Sequence, residues 1–161
     1  MEIYTINKKS EEKFLRKKTA DFNFSKYNKK ELRELVAAMR QIMKLSSGVG
    51  LSANQIGIDA SFFVAEVEEK FYAIFNPKIV KFSKEEEEIE EGCLSAPDHF
   101  GQVIRPAKVW LEGYDKGGKK IRIKAWGFLA RVFQHEVDHL NGVLFVDKCK
   151  ELRKIEPEKQ S

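Results

Sequence analysis

Apolar residues recur at helical spacing between residues 29 and 45, and this is the clearest periodic pattern in the chain. The apolar positions are Leu32, Leu35, Val36, Met39, Ile42 and Met43. Their spacing predicts an amphipathic helix with one buried face. Asn28, followed by Glu31, suits the start of this helix. We therefore predict an N-terminal amphipathic helix over residues 29–45 that packs as scaffold.

Short runs rich in β-branched and aromatic residues predict strands after this helix. The predicted strands cover residues 61–67, 71–75, 79–82, 108–114 and 119–126. Asn76 and Pro77 break the second run from the third, and the turn residues 115–118 join the last two runs as a hairpin. Residues 120–124 alternate in polarity, which indicates one buried and one exposed face.

A second helix is predicted over residues 128–140. Gly127 ends the preceding strand, and Asn141 with Gly142 forms a carboxy-terminal cap. Helices and strands do not alternate regularly along the chain, which disfavours a parallel βαβ arrangement. The predicted fold class is therefore α+β, with mainly antiparallel β-sheets packed around this second helix.

Three stretches carry neither a helix pattern nor a strand pattern. Residues 85–88 are consecutive glutamates, which are typical of a solvated acidic stretch. Residues 97–101 have the composition of a loop. The tail after about residue 147 is charged and contains Pro157, so we expect it to fray.

Length and composition indicate one compact domain over residues 1–161, because 42% of the residues are hydrophobic. The chain has 29 basic and 25 acidic residues, and the two signs are interspersed, which argues against a nucleic-acid partner. The charged amino terminus has no apolar segment, so we expect neither a signal peptide nor a membrane span. We therefore expect a cytoplasmic location. Two cysteines do not make a disulfide framework, which leaves a reduced thiolate available to a metal.

The predicted second helix carries His135 and His139 on one face, because residues four apart stack on adjacent turns. Two imidazoles at this spacing can bind one metal ion. Glu136 points about 100° around the helix from His135, so it lies near the metal without being a ligand. In zinc proteases with this pattern the glutamate moves protons and a third ligand comes from elsewhere.

Cys93 is the best third ligand on chemical grounds, because a thiolate binds borderline metals strongly. No histidine follows His139, which excludes a variant with a third histidine downstream. The alternative for Cys93 is a small buried hydrophobic residue, as many isolated cysteines are.

The glycine-rich segment 48–55 has two competing interpretations. A dinucleotide-binding loop is disfavoured, because no clear strand precedes Gly48 and no βαβ unit surrounds it. A flat backbone edge, along which a peptide adds as a strand, fits better. Gln55 then directs its amide toward a developing oxyanion, or is an ordinary loop glutamine.

The segments Gly48–Gln55, Glu91–Ser95 and Gln134–His139 together resemble the motifs of the peptide deformylase family, the metal hydrolases that remove the formyl group from new peptide N-termini. The resemblance spans nearly the whole chain, with the motifs in the family's order. It implies three metal ligands, Cys93, His135 and His139, with Glu136 as the proton shuttle, and two oxyanion donors, Gln55 and the backbone N–H of Leu94.

The resemblance also implies a pocket for the first side chain of the substrate, usually methionine. Its lining residues would be Val49, Gly50, Phe128, Arg131 and Val132. Glu91 and Arg105 are expected to pair and brace the loop that carries Cys93. Ser52 stands where alanine is commoner in the family, and we expect this change to affect packing only slightly.

The family implies one divalent metal ion per chain, with Fe(II) as the working ion and Zn, Ni or Co as alternatives. The implied substrate is an N-formylmethionyl peptide, which is hydrolysed to formate and a free N-terminus. The tail is shorter than the long basic helix of some bacterial members, so we expect at most a transient contact with the ribosome. We expect no membrane association and no nucleic-acid specificity. Two alternatives stay open: a zinc endopeptidase using the same His-Glu-x-x-His site, and a non-catalytic, metal-stabilised peptide-binding module.

Overall fold

The fold is described by a computed structural model that covers residues 1–156. The helices in this part of the chain are α1 (Lys9–Leu15), α2 (Lys29–Leu45) and α3 (Gly127–Leu140). The strands are β1 (Gly50–Ser52), β2 (Phe62–Val67), β3 (Lys70–Phe82), β4 (Glu86–Cys93), β5 (Ala96–Pro106), β6 (Lys108–Tyr114), β7 (Lys120–Trp126) and β8 (Arg153–Lys154). Short 3-10 helices cover Phe24–Lys26, Ala53–Ile56 and Phe145–Asp147.

The strands form two antiparallel sheets. The larger sheet has the strand order β1-β2-β3-β6-β7, and the smaller one has the order β4-β5-β8. Helix α3 contacts most strands of the larger sheet and also β5 of the smaller one. This architecture confirms the predicted α+β class with mainly antiparallel sheets.

Helix α2 begins and ends where the apolar periodicity predicts. The side chain of Asn28 caps its first turn by accepting a hydrogen bond from the Glu31 backbone N–H at 2.8 Å. Its buried residues are Leu32, Val36, Met39 and Met43. The predicted scaffold helix is therefore confirmed.

The core lies on both faces of the larger sheet. In β2, Phe62 and Val64 pack into the cluster beneath α2, whereas Phe63 and Ala65 pack into the cluster beneath α3. This alternation follows from the pleat of a strand, and it explains why β2 begins with four consecutive apolar residues. Because the sheet is packed on both sides, α3 is held at a fixed position relative to β1.

The two runs 71–75 and 79–82, predicted as separate strands, form the single strand β3. Asn76 lies at a shift of register against β6 and has a positive φ of 48°. Its side chain accepts from the Phe22 N–H at 2.7 Å and donates to the Phe22 carbonyl at 3.1 Å. The residues that read as a strand break therefore form a bulge within one strand.

The acidic run 85–88 is exposed, as expected of a solvated stretch, although residues 86–88 also belong to β4. The stretch 97–101, which was expected to be a loop, lies in β5. Strand β4 pairs with β5 from Glu86 opposite Pro106 to Gly92 opposite Phe100. Strand β4 lies at an edge of its sheet, and charged side chains are a usual feature of such edges.

Two smaller differences concern the ends of the chain. Helix α1 was not predicted. The tail after about residue 147 was expected to fray, but Arg153 and Lys154 pair with Phe100 and His99 of β5. Pro157 lies outside the described residues. Within residues 1–156, no helix combines the length and apolarity that crossing a membrane requires.

Candidate metal centre

Helix α3 brings His135 and His139 together on one face. Their Nε2 atoms lie 3.1 Å apart, and the two ring centroids are separated by 4.8 Å. The four-residue spacing produces this contact, because one helical turn advances 3.6 residues. Both imidazoles therefore present a nitrogen to the same small volume.

Cys93 reaches this volume from the end of β4, where the chain turns into β5. Its Sγ lies 3.1 Å from His139 Nε2, and the ligand atoms of Cys93, His135 and His139 all lie within 4.8 Å of one another. Burial opposes ionisation of the thiol, but the charge of His139 and the hydrogen bond from His135 hold the pKa of Cys93 well below its usual value. The thiolate is the form that binds metals.

The donor set fits a divalent metal of borderline softness. One thiolate and two imidazoles suit Zn, Fe(II), Co or Ni better than Mg or Ca, which prefer oxygen ligands. Within residues 1–156, no fourth histidine, cysteine, aspartate or glutamate joins the group. Three protein ligands with an open fourth position are typical of a catalytic site, whereas structural zinc sites usually have four protein ligands.

Glu91 orients the first of the two imidazoles. The Nδ1 of His135 lies 2.8 Å from Glu91 Oε1. An ionised carboxylate only accepts hydrogen bonds, so Nδ1 must donate, and Nε2 is the ring nitrogen that faces His139 and is left to bind a metal. The Nδ1 of His139 is buried and has no partner among the described residues. Among the described residues, Glu91 therefore orients the His135 ring through Nδ1, whereas no such hydrogen bond orients the His139 ring.

Two arginines surround Glu91. Arg105 donates to Glu91 through Nε at 2.6 Å and through Nη2 at 3.0 Å, and it also donates to Asp138 at 2.7 Å. Arg131 donates at 2.8 Å to Glu91 Oε2, the oxygen that also accepts from Arg105 Nε. Burial alone would raise the pKa of Glu91, but the hydrogen bonds from His135 and Arg105 hold it well below its usual value. Glu91 is therefore an anion in the position that orients His135.

Arg105→Ala is expected to lower the free energy of unfolding by about 2–3 kcal/mol, because the buried Glu91 loses two hydrogen bonds to a cation and keeps only Arg131 as a cationic partner. Urea denaturation of the metal-free protein measures this loss. The control is Arg153→Ala, which breaks an exposed pair with Glu90 and should cost at most about 1 kcal/mol. Equal losses in the two variants would contradict a bracing role for Arg105.

Glu136 is buried between α3 and β1. A Cβ atom added at Gly50 would lie 2.5 Å from Glu136 Oε1, so only glycine leaves room for this carboxylate. Its other oxygen is buried without a hydrogen-bond partner among the described residues. Burial raises the pKa of Glu136. The carboxylate therefore lies beside the donor group without belonging to it.

Gln55 lies in the 3-10 helix that follows β1. Its Oε1 accepts from the Ser52 backbone N–H at 3.0 Å, and its Nε2 donates to Ser95 Oγ at 3.0 Å. The same Nε2 lies 3.6 Å from Cys93 Sγ. The amide NH₂ is therefore directed toward the sulfur and toward the turn that contains the backbone N–H of Leu94.

A cavity of about 460 Å³ opens beside the donor group. All five residues predicted to form the substrate pocket lie in its wall: Val49, Gly50, Phe128, Arg131 and Val132. Leu94, Gln55 and Glu136 line it as well. The guanidinium of Arg131, however, points away to Glu91 and to the carbonyl oxygens of Val103 and Glu87. The apolar part of the wall comes from the other lining residues.

The cavity lies between two unpaired sheet edges. Within residues 1–156, strand β1 pairs only with β2, and β4 pairs only with β5. An unpaired edge can accept an added peptide strand through its backbone N–H and carbonyl groups. An extended peptide between these edges would have one side chain in the cavity and its terminus beside the sulfur and imidazoles.

Several residues of the site were not found by reasoning from the sequence. Asp138 holds Arg105, Ser95 contacts Gln55, and Asn54 donates from Nδ2 to the His139 carbonyl at 2.6 Å. Each of them lies within or beside a motif, but residue type and spacing do not indicate which buried polar groups meet.

Comparison with known proteins identifies relatives along most of the chain. Residues 2–155 match the family model described as polypeptide deformylase. A peptide deformylase of Treponema pallidum is 43% identical over 124 residues, which cover 77% of this chain and 76% of that protein. Another, from Carboxydothermus hydrogenoformans, is 47% identical over 116 residues, which cover 72% of this chain and 76% of that protein.

Solved structures of the same fold agree with these sequence relatives. A peptide deformylase from Thermotoga maritima has a TM-score of 0.84 at 35% identity, covering 92% of this chain and 97% of its own. One from Synechococcus elongatus in complex with actinonin has a TM-score of 0.85 at 35% identity, covering 94% of this chain and 79% of its own. The chain belongs to the polypeptide deformylase family.

Proposed function

We propose that the chain removes the N-formyl group from new polypeptides at a single metal ion held by Cys93, His135 and His139. Removal of this group is the activity of the family. One observation carries the assignment to this site: one sulfur and two imidazole nitrogens lie within 4.8 Å of one another at the wall of a cavity between two sheet edges. A metal bound there would act as a Lewis acid, which would polarise the formyl carbonyl and activate water.

Glu136 moves the protons in this proposal. Its carboxylate is buried beside the donor group and next to Gly50, where the scissile amide would lie. Hydrolysis requires a base that removes a proton from the attacking water and an acid that returns a proton to the departing amine. A carboxylate that lines the cavity without belonging to the donor group can do both in turn.

Gln55 and the backbone N–H of Leu94 stabilise the negative charge that develops on the formyl oxygen. Both residues line the cavity, and Gln55 Nε2 already points toward Cys93. A preorganised donor of this kind needs no rearrangement when the charge forms, which is the source of its effect.

Gln55→Ala is expected to lower kcat by about 10²–10³-fold and to leave the metal content unchanged, because one oxyanion donor is lost. Steady-state formate release together with elemental analysis measures both quantities. The control is Gln41→Ala on the exposed face of α2, which should behave like the parent protein. An undiminished kcat in Gln55→Ala would remove Gln55 from the mechanism.

The substrate in this proposal is an N-formylmethionyl peptide that binds as an added strand between the edges of β1 and β4. Val49, Phe128 and Val132 give the cavity the apolar wall that an unbranched methionine side chain would fill. The Synechococcus elongatus relative, solved in complex with actinonin, supports a ligand site in this fold.

The working metal in this proposal is Fe(II), with Ni or Co as substitutes and Zn as the alternative. The mixed sulfur and nitrogen donor set supports any of these ions. A cytoplasmic location and at most a transient ribosome contact complete the proposal, since the reaction acts on newly made chains. Reconstitution of the metal-free protein with each ion, followed by turnover measurements, would rank them.

The proposed function is tested by formate release from a formyl-methionyl tripeptide, using protein purified without oxygen. We expect formate and a peptide with a free N-terminus in equal amounts, and intact internal peptide bonds. Internal cleavage without formate would instead identify an endopeptidase. Bound metal with no turnover would identify a binding module.

A further inference from the structure

Ser52 has an environment that its place in the sequence did not suggest. The residue is fully buried at the end of β1. Its Oγ lies 3.0 Å from Gln55 Oε1 and 2.8 Å from Asn54 Oδ1. The one hydroxyl proton therefore has two acceptor oxygens within reach, an interaction that lies beyond the expected effect on packing.

Among the described residues, Ser52 alone holds the oxygen end of the Gln55 amide. The backbone N–H and the side-chain hydroxyl of Ser52 both reach Oε1, each at 3.0 Å. Rotating the amide by half a turn would put its NH₂ against the Ser52 N–H, and two donors cannot bond each other. With the oxygen end fixed, Nε2 must face Ser95 and Cys93.

Asn54 extends this contact to the metal-binding helix. Its Nδ2 donates to the His139 carbonyl at 2.6 Å near the end of α3. That bond fixes the orientation of the Asn54 amide, because a carbonyl oxygen can only accept. Oδ1 is then turned toward the Ser52 hydroxyl. Ser52 thus joins Gln55, through Asn54, to the residue that carries one of the metal ligands.

We propose that Ser52 is a positioning residue that fixes the Gln55 amide for catalysis. The inference rests on the proposed role of Gln55 as an oxyanion donor. Alanine at this position would keep the backbone N–H contact but lose the hydroxyl, whose one proton is shared between Gln55 Oε1 and Asn54 Oδ1. The amide would then be less well oriented, and the loss would appear when charge develops on the formyl oxygen rather than when the substrate binds.

Ser52→Ala is the first test, because it removes a single oxygen atom from the buried site. We expect kcat to fall about three- to tenfold, the factor that one neutral hydrogen bond is worth. KM and metal content should stay unchanged. Ser52→Gly is a second hydroxyl-free variant in case the alanine variant does not fold. An undiminished kcat in the folded, metal-loaded variant would overturn the inference.

Thr19→Val is the matched control. Thr19 Oγ1 donates to the Leu140 carbonyl at 3.1 Å, so it is also a buried hydroxyl at the end of α3, but it has no contact with Gln55. This variant should be less stable and should keep the parent kcat. A similar fall of kcat in Thr19→Val would show that Ser52 acts through the stability of the helix end.

The double variant Ser52→Ala/Gln55→Ala separates positioning from structure. If Ser52 acts through Gln55, its replacement should lower kcat no further once Gln55 is alanine. The same fold-loss in both backgrounds would overturn the inference and leave the role of Gln55 intact. An unchanged kcat in Gln55→Ala alone would overturn the role of Gln55 and, with it, this inference.

Discussion

Glu136→Gln is expected to lower kcat for formate release by about 10³-fold, the range that general acid–base catalysis contributes. Glutamine has the shape of glutamate and fits the space beside Gly50, but it can neither take a proton from water nor return one to the amine. The fold and the metal content should be those of the parent protein. Steady-state kinetics, elemental analysis and circular dichroism on one preparation measure all three quantities.

Glu88→Gln provides the control for this result. Glu88 is exposed on β4 outside the cavity, so its replacement removes a negative charge without touching the site. Its kcat should equal that of the parent. Two outcomes would contradict the role of Glu136: a kcat within tenfold of the parent, or a loss of metal in parallel with the loss of activity.

Cys93→Ala is expected to remove both the metal and the activity. The variant deprives the ion of its thiolate and leaves two imidazoles. Loss of an outer-shell partner already lowers metal affinity by about 10–100-fold, so loss of a direct ligand should lower it by more than about 100-fold. Competition with a chelator measures the affinity, and formate release measures the activity.

Cys149→Ala is the matched control, because Cys149 is the other free thiol and lies outside the donor group. It should keep the parent's metal affinity and turnover. Full metal binding and formate release in Cys93→Ala would mean that another residue is the third ligand. A Cys93→Ser variant that loses formate release but cleaves internal peptide bonds would favour the endopeptidase.

Strands β2, β6 and β7 of the larger sheet and the two long helices could be predicted from local patterns. Helix α2 has both a periodic apolar face and a capping residue, so its ends follow from the sequence. The hairpin of β6 and β7 follows from alternating strands around turn residues. In α3, the apolar face and the cap formed by Asn141 and Gly142 gave its extent to within one residue.

The smaller sheet could not be predicted, because the local strand propensity of β4 and β5 is low and their pairing in a hairpin forms it. The glutamates of β4 have low strand propensity, and their partners in β5 lie around a tight turn at Cys93. Helix α1 has only seven residues and lies against the Ala53–Ile56 turn. A helix this short is not stable in isolation, and it has too few residues to show a clear apolar periodicity.

The candidate site likewise contains residues that the sequence predicts and contacts that it does not. The donor residues could be chosen from residue type and spacing, because metal ligands belong to few residue types and helical geometry places His135 beside His139. Their meeting with Cys93 depends on how β4 packs against α3. Partner choices such as Arg131 with Glu91, or Ser52 with Gln55, leave no periodic signal, because they depend on the direction of individual buried side chains.

The central claim is that one sulfur and two imidazole nitrogens surround a single cation with an open position. X-ray absorption at the metal edge of the protein, loaded with Fe(II) without oxygen, tests it most directly. The structure predicts one sulfur and two imidazole neighbours per metal, with the remaining scattering from an exchangeable oxygen ligand. A spectrum without sulfur, or one with four protein ligands that does not change when a substrate analogue is added, would contradict it.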